Sequence, residues 1–99
     1  MPTESLERGR ELLERLWVLH AGARRVIREH GLEPGAVREV PEGDRYVLAF
    51  GYRERTHGGG VRQRYAEVLV SGEEYVRMDD EVRSRVLEDL GQALPEGPQ

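Results

Sequence analysis

The sequence contains no cysteine, no lysine and no asparagine, and the first two absences each remove a class of chemistry. Without cysteine there is no disulfide framework, no thiol nucleophile and no cysteine-based metal site. Without lysine there is no Schiff-base residue and no P-loop lysine for binding phosphate. All fifteen basic residues are arginine. A composition rich in arginine and glutamate is typical of a thermophilic source, and a GC-rich genome biases codons in the same way.

Long apolar runs and a basic net charge are also missing. No stretch approaches the ~18 apolar residues of a membrane span and the N-terminus has no signal-peptide core, so we expect a cytoplasmic protein without membrane contact. The net charge of -4 argues against a generic nucleic-acid coat, which would be basic overall. A chain of 99 residues buries one core, and we expect a single domain over 1–94 with a disordered tail over 95–99.

Motifs for catalysis or cofactor binding are absent from the sequence. The three glycines at 58–60 lack the lysine and the spacing of a phosphate loop, and they lead into a strand. The acidic cluster around Asp79 has no calcium-loop spacing, and no serine lies in a nucleophile-elbow context. We therefore predict no cofactor, no metal site and no catalytic residue. A small hydrolase or ribonuclease that uses His57 with Tyr65 and a nearby arginine remains an alternative.

Two β-prone runs dominate the middle of the sequence, Arg45–Arg55 and Val61–Ser71, joined by a short glycine-rich turn. Antiparallel pairing across this turn places six apolar side chains on one face, in the pairs Tyr46–Val70, Leu48–Val68 and Phe50–Ala66. The same register sets Glu54 opposite Arg62. A slip of one residue would scramble the apolar face, so the pattern predicts a single register.

A long helix is predicted before the hairpin, from Thr3 to His30. One broad face holds the apolar residues Leu12, Leu13, Leu16, Leu19, Ala23, Val26 and Ile27. Gly31 stands where a C′ glycine belongs, Leu32 can pack back onto the helix, and Pro34 prevents its continuation. His20 and His30 both project toward the apolar side, and we interpret them as structural histidines.

The remaining segments complete an α+β fold in the order α-β-β-β-α. Tyr75–Met78 is expected to form the third strand of the meander. A short strand at 36–40 is left open, and Pro41 would confine it to the edge of the sheet. Asp79 or Asp80 then caps a C-terminal helix. The prediction is a long N-terminal helix, an antiparallel meander of three or four strands and a C-terminal helix, with the helices on one face of the sheet.

This element order resembles that of double-stranded-RNA-binding domains, and it is similar to that of the YbaB family of nucleoid-associated proteins. The resemblance covers the order of elements and no motif. The basic N-terminus that the last helix of the RNA-binding domains carries is replaced here by Asp79, Asp80 and Glu81. Fold analogy of this kind carries little functional weight.

Apolar surface in excess of one core predicts a homodimer. The second face of the hairpin is mixed, and the apolar surface of the helix is wider than one sheet requires. The predicted interface residues are Trp17, Val18, Val47, Tyr65 and Leu69. The leading hypothesis for function is a non-enzymatic interaction module, homodimeric, that binds an unidentified protein partner.

The hairpin end provides the alternative hypothesis. Residues 53–64 form an arm with a local charge of about +3 on an acidic protein, because four arginines meet one glutamate. A two-stranded ribbon can enter a major groove, and arginine is suited to phosphate and guanine. The candidate nucleic-acid-binding residues are Arg53, Arg55, His57, Arg62 and Arg64.

Overall fold

The computed structural model of the chain describes residues 2–95, with side chains from residue 6 onward. The elements in order are α1 (Pro2–Glu29), β1 (Glu33–Glu42), β2 (Arg45–Arg55), β3 (Val61–Ser71), α2 (Gly72–Arg77) and α3 (Asp80–Ala93). The three strands form one antiparallel sheet in the order β1-β2-β3. The predicted α+β meander with its long N-terminal helix is confirmed. Of the tail predicted at 95–99, all but Pro95 lies outside the described residues.

The C-terminus of α1 is built as the sequence predicts. Gly31 adopts a positive φ of 76°, a conformation that costs glycine little because it has no Cβ. The Gly31 amide donates to the Arg28 carbonyl at 2.9 Å, and the Leu32 amide donates to the Ile27 carbonyl at 3.1 Å. These two bonds are those of a Schellman motif, which satisfies the last carbonyls of a helix. Leu32 is buried and turns the chain toward the sheet.

The β2–β3 hairpin has the predicted register throughout. Tyr46 pairs with Val70, and at the other end Glu54 pairs with Arg62. The apolar side chains of this register form the sheet's inner face, which packs on the helices. Leu48 and Phe50 on this face are almost fully buried. The alternation of apolar and polar residues was therefore sufficient to fix both the pairing and the buried face.

Strand β1 is present, and it is longer than the segment at 36–40 that the sequence left open. It spans Glu33–Glu42 and lies at the edge of the sheet, with an irregularity in register between Pro34 and Val37. An edge strand tolerates proline because one side of its backbone needs no partner in the sheet. Pro34 and Pro41 therefore lie within the strand near its ends and do not limit it.

The strand predicted at Tyr75–Met78 is wrong, because all of this segment except Met78 belongs to the short helix α2. Ser71 caps α2: its hydroxyl accepts from the Glu74 amide at 3.0 Å, and the Glu74 carboxylate accepts from the Ser71 amide at 2.9 Å. This reciprocal pair is a capping box. Met78 ends the helix with a left-handed backbone, φ 30°, and its side chain is fully buried.

The hydrophobic core lies between the inner face of the sheet and the helices α1 and α3. Its largest fully buried side chains are Phe50, Leu19, Ile27, Leu48, Met78, Leu90, Val82 and Val86. Asp79 caps α3 as predicted, and its carboxylate accepts from the Val82 amide at 2.9 Å. Among the side chains that the structure describes, none that is polar or charged is buried.

The molecule is elongated, with dimensions of 57 × 24 × 22 Å. At 1.5 Å per residue a helix of 28 residues is about 42 Å long, and an 11-residue strand is about 36 Å long. The first described turns of α1 are exposed, as is most of the hairpin end around residues 53–65. The core therefore occupies the middle of the molecule.

Candidate interaction surfaces

The sheet has an outer face, which we define as the face that carries Val40, Val47, Ala49, Tyr65 and Leu69. The helices pack on the opposite face, and in the described part of the chain nothing is stacked on this one. Val40, Val47 and Leu69 form one row across the three strands. Val40 is 46% exposed and Leu69 is 49% exposed, while Val47 between them is shielded by its neighbours. The row is an apolar strip open to solvent.

The next rows of the outer face carry charges and then an aromatic ring. Arg38, Ala49 and Glu67 form the second row. In the third row Tyr65 pairs with Gly51, and a Cβ at Gly51 would lie 3.2 Å from the Tyr65 ring. Across these three rows the face is apolar along the central strand, with one positive charge, Arg38, at the β1 edge and one negative charge, Glu67, at the β3 edge.

Of the four arginines of the arm, two are paired with carboxylates and two are not, within the described residues. Arg53 lies 3.2 Å from the Glu33 carboxylate, and Arg64 lies 3.3 Å from the Glu54 carboxylate. Glu54 thus pairs with Arg64 and not with its register partner Arg62. Within residues 2–95, Arg55 and Arg62 make no ion pair. Exposed ion pairs contribute little free energy, so even the paired arginines can exchange carboxylate for another anion.

A cleft of about 1000 Å³ opens between the C-terminal end of α1 and the hairpin arm. Four of the five candidate residues, Arg53, Arg55, His57 and Arg62, line it together with Arg28 of α1. Leu32, Pro34 and Val61 provide apolar surface, and the carboxylates of Glu33 and Glu54 lie in the same wall. Four arginines against two glutamates make the cleft cationic. Sequence reasoning found the arm but not Arg28, whose place opposite the arm depends on the fold.

The tip of the arm is a hydrogen-bonded turn. The Thr56 amide donates to the Gly60 carbonyl at 2.9 Å, and the Gly59 amide donates to the Thr56 carbonyl at 3.1 Å. Gly59 has a φ of 81°, which a residue with a Cβ adopts only under strain. His57 is exposed beside these bonds.

The first half of α1 carries a helix stripe, which we define as Leu6, Leu13 and Trp17. These residues are spaced by seven and four positions and lie on one side of the helix. Leu13 is 61% exposed and Trp17 is 74% exposed. The sequence placed Leu13 on the core-facing side of the helix, and the structure shows it exposed beside Trp17, while its neighbours Leu12 and Leu16 contact the core.

The five predicted interface residues lie on two separate surfaces. Val47, Tyr65 and Leu69 come together on the outer face of the sheet. Trp17 and Val18 are exposed on α1, which packs against the inner face. One planar contact cannot include both groups.

A polar cluster that the sequence did not indicate lies where α1, β1 and α2 meet. The Tyr75 hydroxyl donates to the Glu39 carboxylate, and His20 Nε2 lies 3.4 Å from the same carboxylate. The Tyr75 ring stacks on Tyr46 with centroids 4.1 Å apart. Burial and the hydrogen bond to Glu39 raise the pKa of Tyr75. The cluster connects elements that are distant in sequence, so no local pattern could have shown it.

The two structural histidines have partners. His20 faces Glu39, and His30 Nδ1 lies 2.9 Å from the Val26 carbonyl of its own helix. Among the described residues, no group of three histidines and carboxylates is placed to hold a metal ion. None of the described helices has the length and apolarity needed to cross a membrane.

Comparison with known proteins gives no relative: no family model, no curated protein and no solved structure matches the chain.

Proposed function

We propose that the chain is a non-enzymatic cytoplasmic interaction module that forms a homodimer and binds its protein partners through exposed apolar surfaces. The observation that supports it best is the apolar row Val40, Val47 and Leu69 on an uncovered sheet face. Antiparallel sheets leave one face to water when that face is polar. Here the exposed face is apolar at its centre, which is typical of a surface that another protein covers.

The size of the outer face indicates which class of dimer it can form. Three strands about 36 Å long and ~4.8 Å apart present roughly 500 Å² per copy, or about 1000 Å² for a pair. This area is at the low end for a specific protein–protein interface. We therefore expect a dimer that dissociates in the micromolar range and not an obligate one.

Sedimentation equilibrium across the micromolar range tests the proposal. We expect the mass to rise from monomer to dimer, and Val40→Glu to shift the transition to higher concentration because it places a charge in the apolar row. Val76→Glu is the matched control, since Val76 is an exposed valine on α2, away from the outer face. A monomer at every concentration would overturn the proposal.

Nucleic-acid binding by the arm is the second candidate function, and the cationic cleft favours it. Arg55 and Arg62 face the cleft without an ion pair in the described residues, and Arg28 approaches from α1. A phosphate backbone would supply the anions that these guanidinium groups lack, and each contact would release counterions.

Electrophoretic mobility of DNA and RNA probes at two salt concentrations tests this candidate. We expect a complex at low salt that weakens steeply as salt rises. The Arg55→Gln, Arg62→Gln double variant should abolish it. Arg24→Gln with Arg25→Gln is the matched control, because it removes the same charge from exposed positions on α1. Equal loss in both double variants would show that net charge alone is responsible, and an unshifted probe at low salt would remove the candidate.

A further inference from the structure

The charged row of the outer face has opposite signs at its two ends. Arg38 lies on β1 and Glu67 lies on β3, and both pair through Ala49 on the central strand β2. Both side chains are exposed. Two strand spacings, about 10 Å, separate their backbones, and in the described chain neither makes an ion pair. Within the described residues, the row therefore has an unpaired charge at each edge of the sheet.

A second copy of the same face can neutralise both charges in only one of two simple orientations. Aligned sheets pack face to face with their strands within about 30° of each other. If the two-fold axis runs along β2, the β1 edge of one copy lies over the β3 edge of the other. Arg38 then faces Glu67 of the other copy, and the contact occurs twice by symmetry. If the two-fold axis instead ran across the strands through this row, Arg38 would face Arg38 of the other copy, and Glu67 would face Glu67.

The apolar row fits the same orientation. An axis along β2 places Val40 over Leu69 of the second copy, twice, and Val47 over Val47. Leu69 at the β3 edge of one copy thus packs on the smaller Val40 at the β1 edge of the other. At the ends of the central strand the positive charges of Arg45, Arg53 and Arg55 also approach those of the other copy. Arg45 and Arg53 each have a carboxylate partner, Glu42 at 3.0 Å and Glu33 at 3.2 Å, and Arg55 makes no ion pair in the described residues.

We propose that the partner of the outer face is a second copy of this chain, packed with the two-fold axis parallel to β2 so that Arg38 of each copy pairs with Glu67 of the other. The inference deepens the proposed function and rests on it. It names the occupant, the orientation and two reciprocal ion pairs.

Charge reversal tests the orientation. Arg38→Glu and Glu67→Arg should each weaken the dimer at least about tenfold in sedimentation equilibrium, because each creates two like-charge contacts. The double variant exchanges the two charges and should return the dissociation constant to within about threefold of the original. Arg25→Glu on α1 is the control for a charge change away from the face. Thermal unfolding at a concentration below the dimer transition shows that each variant monomer is folded.

The single tryptophan gives an independent readout. Trp17 lies on the helix side of the sheet, so its quenching by acrylamide should be the same in monomer and dimer. A dimer that shields Trp17 would place the interface on the helix stripe and overturn the inference. A dimer unaffected by Arg38→Glu would also overturn it, as expected if two β3 edges pair. In either case the proposed homodimer would stand, whereas a monomer at all concentrations would overturn the proposed function itself.

Discussion

At the residue scale, the missing side chain of Gly51 permits the close approach of the irregular segment of β1 to β2. A Cβ at this position would lie 2.5 Å from the Ala36 carbonyl oxygen and 3.1 Å from the Ala36 amide nitrogen. Both atoms belong to the backbone of the irregular segment of β1, and backbone cannot rotate away as a side chain can. The Tyr65 ring covers the same position from β3.

Gly51→Ala is therefore expected to destabilise the protein by about 1–3 kcal/mol, because β1 must shift to accept the methyl group. Gly9→Ala is the matched control: a Cβ there has nothing within 4 Å, and alanine in a helix is favoured over glycine by up to about 1 kcal/mol. Urea unfolding of both variants measures the two effects, which should have opposite signs. Equal stability of Gly51→Ala and the parent would mean that β1 is not held against β2 as described.

Truncation of buried core side chains should destabilise the protein far more than truncation of a half-exposed side chain on α1. Phe50→Ala is expected to cost about 3–5 kcal/mol and Leu48→Ala about 2–5 kcal/mol, since both side chains are almost fully buried and would leave cavities. Val18→Ala should cost far less, because Val18 is half exposed on α1. Thermal melts compare the three variants. A Val18 variant as damaging as either core variant would place Val18 in an interface.

At the element scale, the sequence predicted best where periodicity and capping agree. The β2–β3 register followed from alternation, and the end of α1 followed from Gly31 and Leu32. The segment after Ser71 was misassigned because its apolar residues Tyr75 and Val76 suggested a strand. The Ser71–Glu74 spacing of a capping box was the stronger signal, because it satisfies two backbone amides at once.

The capping carboxylates make stability depend on pH. The hydrogen bond from the Ser71 amide holds the pKa of Glu74 below its usual value, and the hydrogen bond from the Val82 amide does the same for Asp79. A carboxylate with a lowered folded-state pKa stabilises the fold fully above its unfolded pKa. That stability is lost as the pH falls through the lowered value.

We expect urea unfolding to show a loss of stability below about pH 4.5, the ordinary pKa of glutamate. Glu74→Gln should be less stable than the parent at neutral pH and equal to it in acid. Ser71→Ala removes the other half of the capping box and should cost about 0.5–2 kcal/mol at neutral pH. A Glu74→Gln variant with an unchanged pH profile would show that the negative charge of Glu74 does not cause the pH dependence.

At the scale of the whole molecule, the site was less predictable than the fold. The arm's arginines are visible in the sequence because they are close together along the chain. Arg28 and the polar cluster of His20, Glu39 and Tyr75 depend on which elements the fold brings together. Likewise, that Trp17 and Leu69 lie on opposite sides of the sheet follows from the placement of α1 and not from any local pattern.

The elongated shape predicts a gradient of local stability along the hairpin. Hydrogen exchange should be slow at amides from Val47 to Phe50, which lie over the core, and fast from Arg55 to Arg62, where few side chains are buried. A nucleic-acid probe, if it binds the arm, should slow exchange there and leave the core unchanged. Uniformly slow exchange through the tip would show that the arm packs against something in the free protein.

The hairpin arm extends along the strand direction, and the dimer proposed above has its two-fold axis parallel to β2. Both arms then point the same way, from two sheets about 10 Å apart, so the cationic clefts lie at one end of the dimer. In such a pair, a polyanion held by the first arm would experience the second at a high effective concentration, and avidity would exceed single-site affinity by ~10²–10⁴. Dilution that separates the two copies would then release the polyanion as well, which would make protein concentration itself the control on binding.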